Sequence, residues 1–281
     1  MQFTLVCEPN DEVCVAHTVR ECSSPFVARR NVLRACAAIV SGAVTPRILA
    51  DAADEVAIGT RAYTAIFPGG DGVHFDYGYY RDQHLTLMQS LYGDALTRVE
   101  MRKPLIAEGE PASPYAAIVN FWLSDPEIFA KASAAHGQAL VSDKVHFTNA
   151  QQKVQSEVVF GETGKPATAI RVGERCLTVL YPYGHADRFD HEYYRDHHMP
   201  SLIELFGHEA INRIEMRKGL SSPNGRDPPL YSCTANIYVA DAQAFAAAAS
   251  RNRQRVDDDI RQFTSVSPAS FMTEVVGAFG A

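Results

Sequence analysis

The sequence is poor in the features that announce metal, disulfide or nucleotide chemistry. Only six cysteines occur in 281 residues. Four of them, Cys7, Cys14, Cys22 and Cys36, fall early, and only Cys176 and Cys233 come later. No C-x-x-C pair is present, so buried free thiols are expected rather than a metal or disulfide framework. No apolar run reaches the roughly 20 residues that a membrane helix needs, which argues against membrane insertion. Basic charge is not in excess. The net charge of −7 weighs against nucleic acid and anionic membranes as partners. No nicotinamide or flavin fingerprint appears. Gly69-Gly70-Asp71-Gly72 reads as a turn rather than a phosphate loop. His185, His191, His197, His198 and His208 crowd one region, yet none forms an H-x-x-x-H pair. Neither a metal nor a tightly bound cofactor is expected.

What the chain does contain is a sentence said twice. Phe75-Asp76-Tyr77-Gly78-Tyr79-Tyr80-Arg81-Asp82-Gln83-His84 is answered by Phe189-Asp190-His191-Glu192-Tyr193-Tyr194-Arg195-Asp196-His197-His198. Val99-Glu100-Met101-Arg102-Lys103 is answered by Ile214-Glu215-Met216-Arg217-Lys218. Phe147-Thr148 returns as Phe263-Thr264, and Glu157-Val158-Val159 as Glu274-Val275-Val276. Two homologous domains, 60–161 and 174–277, follow from this self-similarity. Hydrophobic residues at 46% and charged residues at 21% suit ordinary globular domains.

Residues 1–59 stand outside the repeat. Arg29-Arg30 precedes an apolar stretch from Ala35 to Val44, then Ala50-Asp51-Ala52 offers small residues at a cleavage spacing. The order resembles a twin-arginine signal. It implies a periplasmic or secreted protein; the alternative is a cytoplasmic protein whose first helix packs on the domains.

The second copy reads clearly. Cys176 to Tyr181 is a strand. Asp190 caps a helix that runs towards Phe206 and stops at Gly207. Pro200 lacks an amide hydrogen, so a kink is expected near His198. Ala210 to Lys218 is a second strand, Tyr231 to Val239 a third, Asp241 caps an alanine-rich helix to about Asp257, and a last, irregular strand lies within Phe263 to Val276. The order β-α-β-β-α-β is the ferredoxin-like unit. Its helices cover one sheet face and leave the other needing a partner. The fold expected is α+β: two such repeats packed sheet to sheet as an eight-stranded barrel with a cavity between.

Tyr194-Arg195-Asp196-His197-His198-Met199-Pro200 resembles the Tyr-x-x-x-His-x-Pro signature of the EthD domain, a member of the dimeric α+β barrel superfamily. The resemblance covers both repeats and implies a barrel closed within one chain. It also implies a small-molecule enzyme of oxidative degradation, often of the oxidoreductase type. Cofactor-free dehydration, isomerisation or cyclisation of a polyketide-like compound is the alternative. A noncatalytic protein that binds a hydrophobic metabolite is another.

His198 and Tyr194 lie four apart on one helix face and suit proton transfer to and from a small apolar oxygenated substrate. His84 and Tyr80 are their counterparts. The first copy has Thr86 where proline is expected and Gln83 for His197, so the second copy is expected to carry the chemistry. Asn236 and Tyr238 on strand three, with Asn120 and Trp122 in the first copy, are expected to line the same cavity. Arg213, Glu215 and Arg217 are read as a cross-strand ion ladder. Arg195 and Asp196, like Arg81 and Asp82, are read as surface ion pairs. A homo-oligomer is compatible with this plan.

Overall fold

The computed structural model describes residues 58–106, 112–165, 171–184 and 188–280. The N-terminal extension, with its export reading, lies outside them. So do Cys7, Cys14, Cys22, Cys36 and His185.

The same order of elements occurs twice. Strand β1 (Arg61–Pro68) leads into helix α1, which runs on through Tyr77–Tyr79, Tyr80–His84 and Leu85–Tyr92. Strands β2 (Leu96–Pro104) and β3 (Tyr115–Leu123), helix α2 (Pro126–Asp143) and strand β4 (Lys153–Gly164) follow. The second set is β5 (Arg175–Pro182), α3 through His191–Tyr193, Tyr194–His198 and Met199–Phe206, then β6 (Ile211–Ser221), β7 (Tyr231–Val239), α4 (Ala242–Phe263) and β8 (Ala269–Gly280). The last helix runs six residues beyond the Asp257 expected from sequence, because Ile260 and Phe263 still pack into the core. Both caps read from the sequence form: the Asp190 carboxylate accepts from the Tyr193 amide, and Gly207 ends α3 at φ 84°. No described helix is long and apolar enough to cross a membrane.

The strands close into one barrel in the order β1-β3-β2-β8-β5-β7-β6-β4. Each repeat contributes four adjacent strands, and the two sets join edge to edge. Val99 pairs with Phe279 on one seam, and Val158 with Lys218 on the other. Closure leaves no strand edge unpaired, the costly feature of an open sheet. A strand in this barrel has two buried faces. In β2, Val99 and Met101 face the helices while Arg98, Glu100 and Arg102 are buried from the opposite side. In β6, Ile214 and Met216 alternate in the same way with Arg213, Glu215 and Arg217.

The expected cavity between the sheets is instead filled by ions. Arg102 donates to Asn236 Oδ1 at 2.7 Å and to the Tyr238 hydroxyl at 2.6 Å, and its Nε pairs with Glu100. Arg217 donates to Glu215 at 2.6 Å and to Asn120 Oδ1 at 2.9 Å, and lies over the Trp122 ring. Glu157 accepts from Thr64 at 2.6 Å and from Thr234 at 2.9 Å. Burying a charge is costly unless each is paired and hydrogen-bonded, and here most bonds cross between repeats. The ion ladder read from sequence is therefore part of an internal network that fills the barrel.

Candidate functional site

This arrangement separates residues that the sequence reading places together. Asn120, Trp122, Asn236 and Tyr238 are buried inside the barrel and spent on the ion network. His84, Tyr80, His198 and Tyr194 lie on the other side of the sheet, beneath the helices. The His–Tyr pair in a barrel cavity is thus corrected to a His–Tyr pair between sheet and helix layer. Period two tells which strand residues share a face, and closure of the barrel decides what that face meets.

The histidines are placed by a widened helical turn. In α1 the Leu85 amide bonds the Tyr80 carbonyl, five residues back, and in α3 the Met199 amide bonds Tyr194 in the same way. Such π turns inside α-helices are frequent at functional sites. The expected kink near His198 is this turn, yet Pro200 does not cause it: the first copy makes it with Thr86 in that place.

Each histidine is held by an aspartate from the second helix of its repeat. His84 Nδ1 lies 2.7 Å from Asp143 Oδ2, and the Tyr79 hydroxyl donates to Asp143 Oδ1 at 2.9 Å. His198 Nδ1 lies 2.5 Å from Asp259 Oδ2, and Tyr193 donates to Asp259 Oδ1 at 2.8 Å. An ionised carboxylate only accepts, so the ring proton sits on Nδ1. That leaves the Nε2 lone pair of the neutral ring as the base. Burial would raise the Asp143 carboxyl, but hydrogen bonds from His84 and Tyr79 hold it below its ordinary value. Asp259 is lowered first by its bond from His198. Burial lowers the His84 imidazole against the opposing pull of Asp143.

Tyr79, Tyr193, Asp143 and Asp259 escaped the sequence reading. Their signal was available: both tyrosines stand in the repeated block, and each aspartate precedes Phe147 or Phe263 by four residues. Tyr194, by contrast, is fully buried beside the Tyr181 phenol, without a well-formed hydrogen bond for its hydroxyl. Burial pushes the Tyr80 and Tyr194 phenols far up, so both stay protonated near neutrality. Their rings wall the histidines, with centroids 4.7 Å and 5.4 Å away. His197 is exposed, and Arg195 pairs with Asp196 at 2.6 Å as read from the sequence.

The pockets beside the two histidines differ. In the second repeat His198 borders an apolar cavity of about 70 Å³, with Leu177, Met199, Phe206, Phe245 and Ile260 among its walls, and a more polar cleft of about 430 Å³ that Tyr193, Ser201, Arg255 and Asp259 also line. In the first repeat His84 borders a pocket of about 560 Å³, walled by Tyr63, Phe67, Tyr92, Phe121 and Phe129. The pocket of the first repeat and the polar cleft beside His198 both lie within the range of small-molecule sites, roughly 300–1,000 Å³, while the apolar cavity of the second repeat holds little more than water. Gly137 and Ser133 of α2 open the larger pocket where Arg253 and Ala249 fill the smaller. The copy whose motif departs most from the signature therefore has the larger room.

The EthD domain matches residues 183–267, from the end of β5 to just beyond α4. The crystal structure of an EthD-like protein from Ralstonia eutropha JMP134 is 31% identical over 37% of this chain and 94% of its own, with a TM-score of 0.36. This chain belongs to the EthD family. The stretch matched to the EthD domain holds Tyr193, His198 and Asp259. A crystal structure of an anthrone oxidase-like protein is 10% identical over 79% of this chain and 93% of its own, at a TM-score of 0.45. A mutant chlorite dismutase from Candidatus Nitrospira defluvii is 10% identical over 79% and 94%, at 0.37. No curated protein matches the chain.

Proposed function

We propose that this protein transforms a small, largely apolar oxygenated compound by proton transfer, in the pocket of the first repeat. The role is of the small-molecule, oxidoreductase-associated kind expected from the EthD family. The observation that carries the proposal is the hydrogen-bonded series Tyr79–Asp143–His84 at the wall of a cavity of about 560 Å³. Asp143 fixes the Nδ1–H tautomer, and Tyr79 fixes Asp143. His84 Nε2 then removes a proton from carbon or oxygen of the bound compound. Removing that proton is the opening step of dehydration, isomerisation and oxygenation alike. The second repeat keeps the same series around His198, but its apolar cavity is small and its larger cleft is polar, which suits an apolar compound less well.

Carbon–hydrogen exchange in heavy water tests the reading without a known substrate. Aromatic ketones and other carbon acids that bind are incubated in D2O, and deuterium uptake is followed by mass spectrometry. Uptake above the buffer rate is expected, lost in His84→Ala and kept in His198→Ala. Exchange that survives His84→Ala and disappears in His198→Ala would place the chemistry in the wrong repeat.

A further inference from the structure

The pocket of the first repeat differs from its twin in charge as well as size. Lys144 follows Asp143 at the end of α2 and lines the cavity. The corresponding position of the second repeat, three residues before the shared phenylalanine, is Ile260. Lys144 is half-buried, and its ammonium donates at the solvent-exposed rim to Oε1 of the neutral, exposed Gln151 at 3.0 Å. Among the described residues no carboxylate lies within ion-pair distance of it. A cation at the end of a helix is favoured by the helix dipole, so the charge is stable without an acid partner. His84 does not share this role at neutral pH, since burial favours its uncharged form.

The walls set the rest of the ligand. Seven Phe and Tyr rings stand among aliphatic neighbours there, and ring-on-ring contact favours a flat π-faced body beyond the area it buries. An anion entering such a pocket loses hydration, and only an opposite charge close by offsets that loss. We propose that this pocket selects an aromatic small molecule bearing an acidic oxygen, a carboxylate, phenolate or enolate, with Lys144 as its counter-ion. This rests on the pocket of the first repeat being the working site. It also gives that chemistry a use for the cation: an oxygen that gains charge as His84 takes a proton is stabilised by Lys144.

Paired probes of equal shape test it. 2-Naphthoate and neutral 2-naphthalenemethanol are titrated against the full chain, followed by fluorescence polarisation. The carboxylate is expected to bind about tenfold tighter, the size of one charge-assisted hydrogen bond at a partly exposed group. In Lys144→Ile, which copies the second repeat, and in Lys144→Gln, the preference disappears while the alcohol binds as before. Gly137→Leu fills the cavity and weakens both probes. Equal affinities in the wild type, or a preference that survives both Lys144 variants, overturn the counter-ion assignment alone. If neither probe binds, or Gly137→Leu weakens neither, the pocket itself is refuted as the site and the inference falls with it.

Discussion

Glu215→Gln probes the ion network that replaces the expected cavity. Glu215 is fully buried, and each of its oxygens is already an acceptor. Oε1 takes Arg217 Nε at 2.6 Å and Asn236 Nδ2 at 3.2 Å, and Oε2 takes Trp122 Nε1 at 2.9 Å. A glutamine amide turned either way sets its own donor against one of those donors. It also leaves the Arg217 charge without its nearest counter-charge. Breaking one side of a buried pair costs about 3–5 kcal/mol. For 150–250 ordered residues each kcal/mol moves the melting temperature by about 2–4 °C, so a fall of roughly 6–20 °C is expected. Trp122 is the single tryptophan of the chain and sits against Glu215, so its emission reports the barrel interior directly. Glu204→Gln, on the exposed side of α3, is the control and should stay within about 0.5 kcal/mol. The difference also depends on pH. Burial raises the Glu215 carboxyl, but Arg217 and Arg213 outweigh it and bring it down from 4.5 to about 2. A carboxyl lowered in the folded state adds stability above pH 4.5 and loses it as pH falls toward 2. The gap between wild type and Glu215→Gln should therefore narrow over that interval. A variant that melts within about 2 °C of wild type at pH 7 would refute the network as a source of stability.

Three further outcomes follow from the sites outside the barrel. Asp143→Asn removes a charge-assisted bond worth about 1.5–3 kcal/mol, so deuterium exchange should fall roughly 10- to 100-fold, while Asp259→Asn leaves exchange unchanged; an equal loss in both would deny the division between repeats. Because His84 titrates below the ordinary 6.5, the exchange rate should hold at neutral pH and drop only on the acid side of 6.5; a midpoint above 6.5 would contradict the buried, neutral ring. Pro200→Ala should keep the widened turn and shift stability by no more than about 1 kcal/mol, as Thr86 does the same duty in the first repeat, and hydrogen exchange at the Met199 amide reads it.

The order of elements was legible because it rests on local physics. Asp190 caps, Gly207 stops and the alternation of Ile214 and Met216 are all properties of a few neighbouring residues. What escaped depends on long-range closure. The alternation of Arg213, Glu215 and Arg217 marks one face of β6, yet nothing local says that this face points into a barrel rather than into water. Asn236 looked like a pocket residue for the same reason, and closure turned it toward Arg102. The partner of His198 lies 61 residues away on α4, beyond any helical spacing rule. The i, i+4 rule pairs Tyr194 with His198 and brings their rings together, but it says nothing about where the hydroxyl ends. Comparison of the two copies would have recovered Asp143 and Asp259, since both keep their distance from the phenylalanine that follows.

The seating of the second helix explains why the apolar pocket of the first repeat is the larger. Helix α4 buries Phe245, Ala248, Ala249, Ile260 and Phe263 against its sheet, whereas every residue of α2 keeps some exposure. Gly137 sits in the middle of α2, where glycine costs about 1 kcal/mol relative to a good helix former. A Cβ there would meet the Tyr92 hydroxyl at 3.8 Å, ordinary contact, so no crowding requires glycine. Its backbone is helical, so no left-handed conformation requires it either. The remaining reason is the space it leaves in the cavity. Where a site needs such space, filling it adds stability at the cost of function. Gly137→Leu should then raise the melting temperature, by roughly 2–8 °C for about 1–2 kcal/mol from helix propensity and partial filling. The same variant should lose aromatic ligands. A substitution that destabilises the fold, or that stabilises it while ligands bind as before, would mean that the open pocket serves nothing.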